Sequence, residues 1–251
     1  MNKHNCKVIS ISNHKGGVGK TTSTINIGAA LTILKQRVLL IDLDAQSNLT
    51  QSLGVNSTWN IYGALKGDYK LQPVEVYKGL EVVPSTLDLS GAEIELINEA
   101  GREYLLKELI EPLKKNYDYI LIDCPPNLSL LTVNSFAASD LVLIPLQAHF
   151  LALQGLTKLT DVIDKIKARL NKKLRLGGVF VTQYDHRKNL NRDILETIQG
   201  HFKKLVLHTT IRDNITLAEA PIQQLDIFRY NNKSKGAIDY LDLAKEIKKI
   251  K

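Results

Sequence analysis

The stretch Val8-Ile9-Ser10-Ile11-Ser12-Asn13-His14-Lys15-Gly16-Gly17-Val18-Gly19-Lys20-Thr21-Thr22 decides how the rest of the chain is read. A short apolar run ends in a glycine-rich turn, and a helical pattern begins directly behind it. Glycines let the backbone fold tightly enough for several N–H groups to point into one hollow, and the positive end of the following helix adds to the attraction for an anion. Such a loop binds phosphate. Lys20 stands where it reaches the β- and γ-phosphates of a nucleotide, and Thr21 where its hydroxyl ligates Mg2+. Gly16, Gly17, Val18, Gly19 and Thr22 complete the expected cradle. A turn of purely structural type needs neither a lysine nor a hydroxyl right after its last glycine. Against the general G-x-x-x-x-G-K-[ST] pattern, Lys15 is an extra lysine. It must serve either the same nucleotide or one held by another subunit.

Outward from this loop, short runs of Val, Ile and Leu alternate with longer amphipathic segments. Strands are predicted over 8–12, 38–42, 81–84, 119–123, 141–145, 178–182 and 206–210, and helices over about 21–34, 89–98, 102–113, 130–138, 156–170, 191–202 and 235–250. Strands apolar throughout are covered on both faces, and strand–helix alternation implies right-handed crossovers into a mostly parallel sheet. The expected fold is therefore α/β, a doubly wound sheet with helices on both faces, in a single domain over residues 1–251. Residues 54–79 are the least regular. In an open α/β sheet ligands bind beyond the carboxyl ends of the strands, so the residues after each strand matter most.

The second strand ends Ile41-Asp42-Leu43-Asp44-Ala45-Gln46-Ser47-Asn48. Asp42 and Asp44 are two residues apart, so in an extended chain they face one side and both can approach the phosphate end. The run Tyr119-Ile120-Leu121-Ile122-Asp123-Cys124-Pro125-Pro126 delivers one carboxylate to the same edge, the Walker B arrangement in which Asp123 holds Mg2+ directly or through water. Cys124 reads as a small buried residue and not a nucleophile, since no histidine lies near it in sequence.

Composition narrows the function classes. Of 251 residues 44% are hydrophobic and 24% charged, as in ordinary globular proteins, and the two cysteines, Cys6 and Cys124, lack the spacing of a zinc, iron–sulfur or disulfide framework. No apolar run approaches the roughly 18 residues of a spanning helix, so membrane insertion is not expected. The net charge of +7 is one-sided: residues 1–151 carry 13 basic and 15 acidic side chains, residues 152–251 carry 20 and 11. A basic surface on one part of the molecule attracts polyanions. Arg187, Lys188, Arg192, Lys203, Lys204, Arg212, Arg229, Lys233 and Lys235 come from separate segments, and a subset of them is expected to form a DNA-binding stripe. The remainder would form surface ion pairs of little energetic weight.

The run Lys15-Gly16-Gly17-Val18-Gly19-Lys20-Thr21 resembles the deviant Walker A motif of the ParA/MinD ATPases, and the segment from Asp42 resembles their D-x-D-P-Q motif. By that resemblance Lys15 contacts the nucleotide of the partner in an ATP-sandwich homodimer, Asp44 positions the attacking water, and Asp42 supports the Mg2+ shell. The strand ending near Gln183 and the loop around Pro221 are implied to line the adenine pocket. His14, Ala45, Ser47, Gln154 and Asn232 depart from the usual residues of the family. The partitioning branch, Soj and ParA, implies a slow cytoplasmic, nucleoid-associated ATPase. It would bind DNA nonspecifically as an ATP dimer, through Arg187, Lys188, Arg192, Arg212, Lys233 and Lys235 among others. A ParB-like centromere-binding protein would stimulate hydrolysis and release it. With the loop strand starting at Val8, no operator-reading domain is expected ahead of it.

Other members of this superfamily fit less well. The iron protein of nitrogenase needs ligating cysteines, and a tyrosine kinase a terminal tyrosine cluster. The rival is a MinD-like membrane-associated ATPase, whose mark is an amphipathic C-terminal helix. The tail from Leu241 to Lys251 is amphipathic and basic, and its Leu/Ile face is expected to pack on the domain as a last helix.

Overall fold

Residues 6–148 and 152–250 are described by a computed structural model. In chain order its elements are β1 (Lys7–Ile11), α1 (Lys20–Ile33), β2 (Val38–Asp42), α2 (Asn48–Ser52), α3 (Ile61–Lys66), β3 (Val74–Tyr77), β4 (Leu80–Val83), α4 (Leu89–Glu95), α5 (Leu105–Ile110), β5 (Tyr119–Asp123), α6 (Leu130–Ala138), β6 (Leu141–Gln147), α7 (Ala152–Arg169), β7 (Arg175–Thr182), α8 (Asn189–Phe202), α9 (Thr216–Glu219), α10 (Ile227–Asn231) and α11 (Lys235–Lys248). The side chain of Gln154 lies outside the described residues.

One seven-stranded sheet runs in the order β3-β4-β2-β5-β1-β6-β7, parallel except for β3, which pairs antiparallel with β4 at the edge. Alternate residues of each strand face opposite layers, as the pleat requires. Leu39, Ile41, Ile120 and Ile122 enter the core beneath α3 to α8, while Val38, Leu40, Leu121 and Ile9 enter the one beneath α1 and α11. The expected doubly wound α/β sheet is present. Because β2 and β5 pair in register, Asp42 stands beside Asp123 at the carboxyl edge, and β1 delivers the loop that follows Ile11 to the same place.

Helix α1 is buried on nearly every side, Ser23, Thr24 and Asn26 included. It lies so close to β2 that a Cβ built on Gly28 would come within 2.7 Å of the Leu40 side chain. Helix α11 packs against it: Leu243, Ala244 and Ile247 are fully buried, and the Tyr240 hydroxyl is 3.0 Å from that of Ser23. The apolar face of the last helix is thus covered by the fold.

Residues 206–210 do not form the expected strand. Leu207 donates one bond to the carbonyl of Val179 at 2.8 Å, but the next two amides, of His208 and Thr209, go to the Glu246 carboxylate at 2.7 and 3.0 Å. A side chain of α11 takes the donors a ladder would need. Two expected helices are shorter than their apolar pattern. That over 89–98 closes in a 3-10 turn at Leu96–Asn98, and that over 102–113 gives way to one at Glu111–Asn116, where Pro112 has no N–H to continue an α-helix. The irregular stretch 54–79 contains α3 and the edge strand β3.

Candidate functional site

The glycine loop follows the end of β1, and the carbonyls of Gly17 and Val18 are tied to side chains from the ends of β6 and β7. Thr182 donates to the carbonyl of Val18 at 2.9 Å, and Gln147 and Gln183 both donate to that of Gly17, at 3.0 and 3.1 Å. Gly17 and Gly19 have φ of 74° and 81°, which only glycine adopts without strain, and Gly19 caps α1. A Cβ placed on Gly16 or Gly17 would meet no atom within 4 Å. The hollow is open. Asn13, just ahead of the loop, fastens its base. Its amide group donates to the carbonyl of Pro145 at 2.8 Å and accepts from the Lys15 N–H at 3.0 Å.

Lys20 is buried, its ammonium 3.2 Å from the carbonyl of Lys15, and burial pulls its pKa below the usual lysine range against the attraction of Asp123. Lys15 and His14 are exposed on the loop. The His14 imidazole is held toward neutrality, first by partial burial and then by the charges of Lys158, Lys20 and Lys15.

The carboxylates differ sharply in what they hold. Asp42 commits both oxygens to the protein: Oδ1 accepts from the Asp44 N–H at 3.2 Å, and Oδ2 from the Thr50 hydroxyl and N–H at 2.6 and 2.9 Å. Asp42 braces the loop, with burial raising its pKa to about 6 against the Thr50 bonds. Asp123 is 1% exposed; its Oδ1 accepts from Thr24 at 3.3 Å, while Oδ2 is buried without a partner. Burial, then the neighbouring Asp42 charge, push Asp123 up to about 8, with the Thr21 hydroxyl and Lys20 opposing. An orphaned carboxylate oxygen beside a threonine and below a phosphate cradle fits a hard divalent cation. Among the described residues no cluster of three or more His, Cys, Asp or Glu could hold a metal alone. Mg2+ sites built from one or two protein groups plus substrate phosphates have that sparse form. Asp44 is half-buried, and its Oδ1 accepts from the Gln46 N–H at 3.0 Å.

Beside Gly19 and Thr22 lies a cleft of about 170 Å³ bordered by Gln183, Arg212, Asn214 and Leu217. Gln183 adopts φ 51°, an uphill conformation for a non-glycine residue, as it turns toward the loop. Pro221 is not among the lining residues. Leu217 and Ala218 border it instead, and Pro221 belongs to the 3-10 turn that follows them. Larger hollows of about 570 and 670 Å³ lie under α5 and α7, away from the loop and lined mainly by apolar side chains.

The basic residues divide. Lys188, Lys233 and Lys235 are exposed, and Arg187 is exposed but forked onto Asp185 at 2.9 and 3.0 Å, which holds that carboxyl well below its usual range. Arg192 bonds Asn189 on its own helix. Arg212 is committed to Asp239 and Arg229 to Asp226, each with a closest approach of 2.6 Å, and Arg229 also lies over the Tyr77 ring. The acids at both pairs are buried, so these two arginines brace the fold; of the two, Arg212 is the one expected on the DNA surface.

Residues that sequence reasoning missed are Asn13, Thr50, Gln147 and Thr182. Their signal lies in position, each near a strand end, but none has a residue type that announces its role.

A family model described as an AAA domain matches residues 6–176. The chain is 46% identical over 250 residues to the chromosome partitioning protein ParA of Myxococcus xanthus, covering 97% of this chain and 88% of the relative. It is 43% identical over 247 residues to the sporulation initiation inhibitor protein Soj of Bacillus subtilis, covering 96% and 98%. A crystal structure of cobyrinic acid a,c-diamide synthase from Mycobacterium smegmatis with bound ATP analog and magnesium aligns with a TM-score of 0.85 at 36% identity, covering 96% of this chain and 93% of that one. By this match and these identities over nearly its whole length, the chain belongs to the ParA/MinD family of P-loop ATPases.

Proposed function

We propose that this chain is a ParA/Soj-type partitioning ATPase made of a single ATPase domain. It binds Mg·ATP, dimerises around the nucleotides, coats DNA without sequence preference, and is released when a ParB-like partner stimulates hydrolysis, so that chromosome or plasmid DNA is segregated. The observation that carries the reading is the convergence of an open glycine cradle, the buried Lys20 ammonium and the orphaned Asp123 oxygen at one end of the sheet. The close relation to ParA and Soj proteins selects partitioning from among the functions this scaffold serves.

Each residue has a part in this scheme. The loop N–H groups and Lys20 bind the β- and γ-phosphates, and the cleft between Gln183 and Leu217 takes the base. Thr21 and Asp123 would hold Mg2+, which when bound neutralises charge on the transferring phosphoryl group. Asp44 orients the attacking water, and because the transition state is loose its role is alignment more than proton removal. Lys15, exposed at the lip of the loop, reaches the nucleotide of the second subunit. Lys188, Lys233, Lys235 and Arg187 supply the DNA surface, doubled in the dimer. The protein acts in the cytoplasm on the nucleoid. The buried apolar face of α11 counts against the membrane-bound alternative, and no helix among the described residues is long and apolar enough to cross a membrane.

The test is binding to random-sequence DNA with ATP, ADP or no nucleotide across a salt series. ATP-dependent binding is expected, with log K falling against log salt at a slope of about −5 for about six neutralised phosphates. Equal binding in all three nucleotide states, or none, would overturn the clamp; in the second case anionic vesicles are the next ligand to try.

A further inference from the structure

We infer that Thr50 is a positioning residue for hydrolysis, holding the loop that carries Asp44 through the carboxylate of Asp42, an assignment that rests on the reading of Asp44 above. Thr50 is 8% exposed on α2. Its hydroxyl donates to Asp42 Oδ2 at 2.6 Å, its N–H donates to the same oxygen at 2.9 Å, and the hydroxyl accepts from the Ser85 N–H at 3.0 Å. A hydroxyl has one proton and two lone pairs, so it fits both partners at once. Asp42 Oδ1 in turn accepts from the Asp44 N–H at 3.2 Å. The chain of bonds therefore runs from the end of β4 through Thr50 and Asp42 to the backbone of Asp44.

Between the two ends the loop takes an uphill course. Ser47 sits at φ 54°, its N–H on the carbonyl of Asp44 at 2.9 Å, and the residue is not a glycine. Asp42 and Thr50 close that loop like a clasp. Without the Thr50 hydroxyl, Asp42 Oδ2 keeps only the Thr50 N–H, the carboxylate is free to turn, and the Asp44 amide loses its fixed acceptor. Alignment is what this reaction needs from the protein, and a displacement of about 1 Å can cost about 10²-fold in rate. Nucleotide binding draws on the glycine loop, Lys20 and the base cleft, whereas the Thr50 side chain bonds Asp42 and Ser85. The effect should fall on kcat and leave affinity alone.

The experiment compares the unsubstituted chain with Thr50→Ser, Thr50→Cys, Thr50→Val and Asp44→Ala. It measures kcat and KM for ATP, affinity for ADP by calorimetry, and melting without nucleotide or metal. Thr50→Ser should keep kcat within about twofold, and Thr50→Val should lose about tenfold or more with KM and ADP affinity within about threefold. Thr50→Cys, with a weaker and longer bond, should fall between them, and it carries the comparison if the valine variant does not fold. A Thr50→Val or Thr50→Cys rate equal to the parent's, a Thr50→Ser rate as low as valine's, or equal losses in kcat and ADP affinity would overturn the inference. Asp44→Ala at the parental rate would instead overturn the reading of Asp44, whatever the Thr50 variants do.

Discussion

Arg212, on the chain that follows β7, and Asp239, on α11, share a forked ion pair: Nη2 to Oδ1 at 2.6 Å and Nε to Oδ2 at 3.0 Å, with the Arg212 N–H on Oδ2 at 2.9 Å. The carboxylate is 7% exposed. These bonds tie the rim of the base cleft to the helix that packs on α1, so the cleft wall and the phosphate helix are parts of one braced unit. A guanidinium held in this way has little freedom to follow a DNA backbone.

Arg212→Ala should therefore act on the fold before it acts on DNA. A stability loss on the order of 1–3 kcal/mol is expected, nearer the lower end because the guanidinium is 37% exposed and partly screened. Nucleotide affinity should fall with it. Lys188→Ala and Lys233→Ala should instead leave stability within about 0.5 kcal/mol and reduce the salt slope of DNA binding by about 2 each, one contact being lost from each subunit of the dimer. Urea titration beside the DNA salt series separates the two kinds of residue. An Arg212→Ala protein of parental stability and reduced salt slope would restore Arg212 to the DNA surface.

Lys20→Ala should weaken nucleotide binding roughly 10- to 100-fold, the loss of a charge-assisted bond to phosphate. It should not weaken the fold. Burial disfavours the Lys20 ammonium in the free protein, where its hydrogen bond goes to the carbonyl of Lys15. Melting of the nucleotide-free variant should match or exceed that of the parent, while added Mg·ATP no longer raises it.

Asp44→Ala should retain ATP and accumulate as the dimer, with kcat down by about 10²-fold. The side chain is half-buried and its bond to the Gln46 N–H lies within its own turn, so neither fold nor affinity depends on it. Size-exclusion chromatography with light scattering in ATP, beside a phosphate-release assay, checks both halves. Unchanged turnover would remove Asp44 from the water-positioning role.

Most of the sheet and the phosphate loop are legible in the sequence because they rest on local signals. Val38 to Asp42 and Tyr119 to Asp123 are continuous apolar runs ending in an acid, and the observed strands have those bounds. What escapes depends on contacts made far along the chain. Residues 206–210 look like a strand until Glu246, 37 or more residues away, takes their amides. Helices α2, α3 and α10, of five or six residues, are too short for a helical period to register. Asp42 and Asp44 share a spacing that brings both toward the phosphate end, yet only the fold reveals that Thr50 has claimed one of them.

The free protein should lose stability as pH rises, and Mg·ATP should reverse the trend. Asp42 and Asp123 both have carboxyl pKa values raised from 3.8, to about 6 and about 8, mainly by burial. Each binds its proton more tightly in the folded chain than in the unfolded one. At these two groups the folded state thus holds more protons across that window, and their contribution to stability falls as pH rises through it, while His14, held toward neutrality, contributes in the opposite direction. Their contribution is complete below about pH 4 and is lost for Asp42 near pH 6 and for Asp123 near pH 8. Bound Mg2+ and the phosphate-holding Lys20 favour the ionised Asp123, so the gain in melting temperature from Mg·ATP should be larger at about pH 8 than at about pH 5. Asp123→Asn cannot ionise, and its free-state melting should be flatter between those values than the parent's. Equal slopes for the two proteins, in chelator and without nucleotide, would remove Asp123 as the source of the pH dependence.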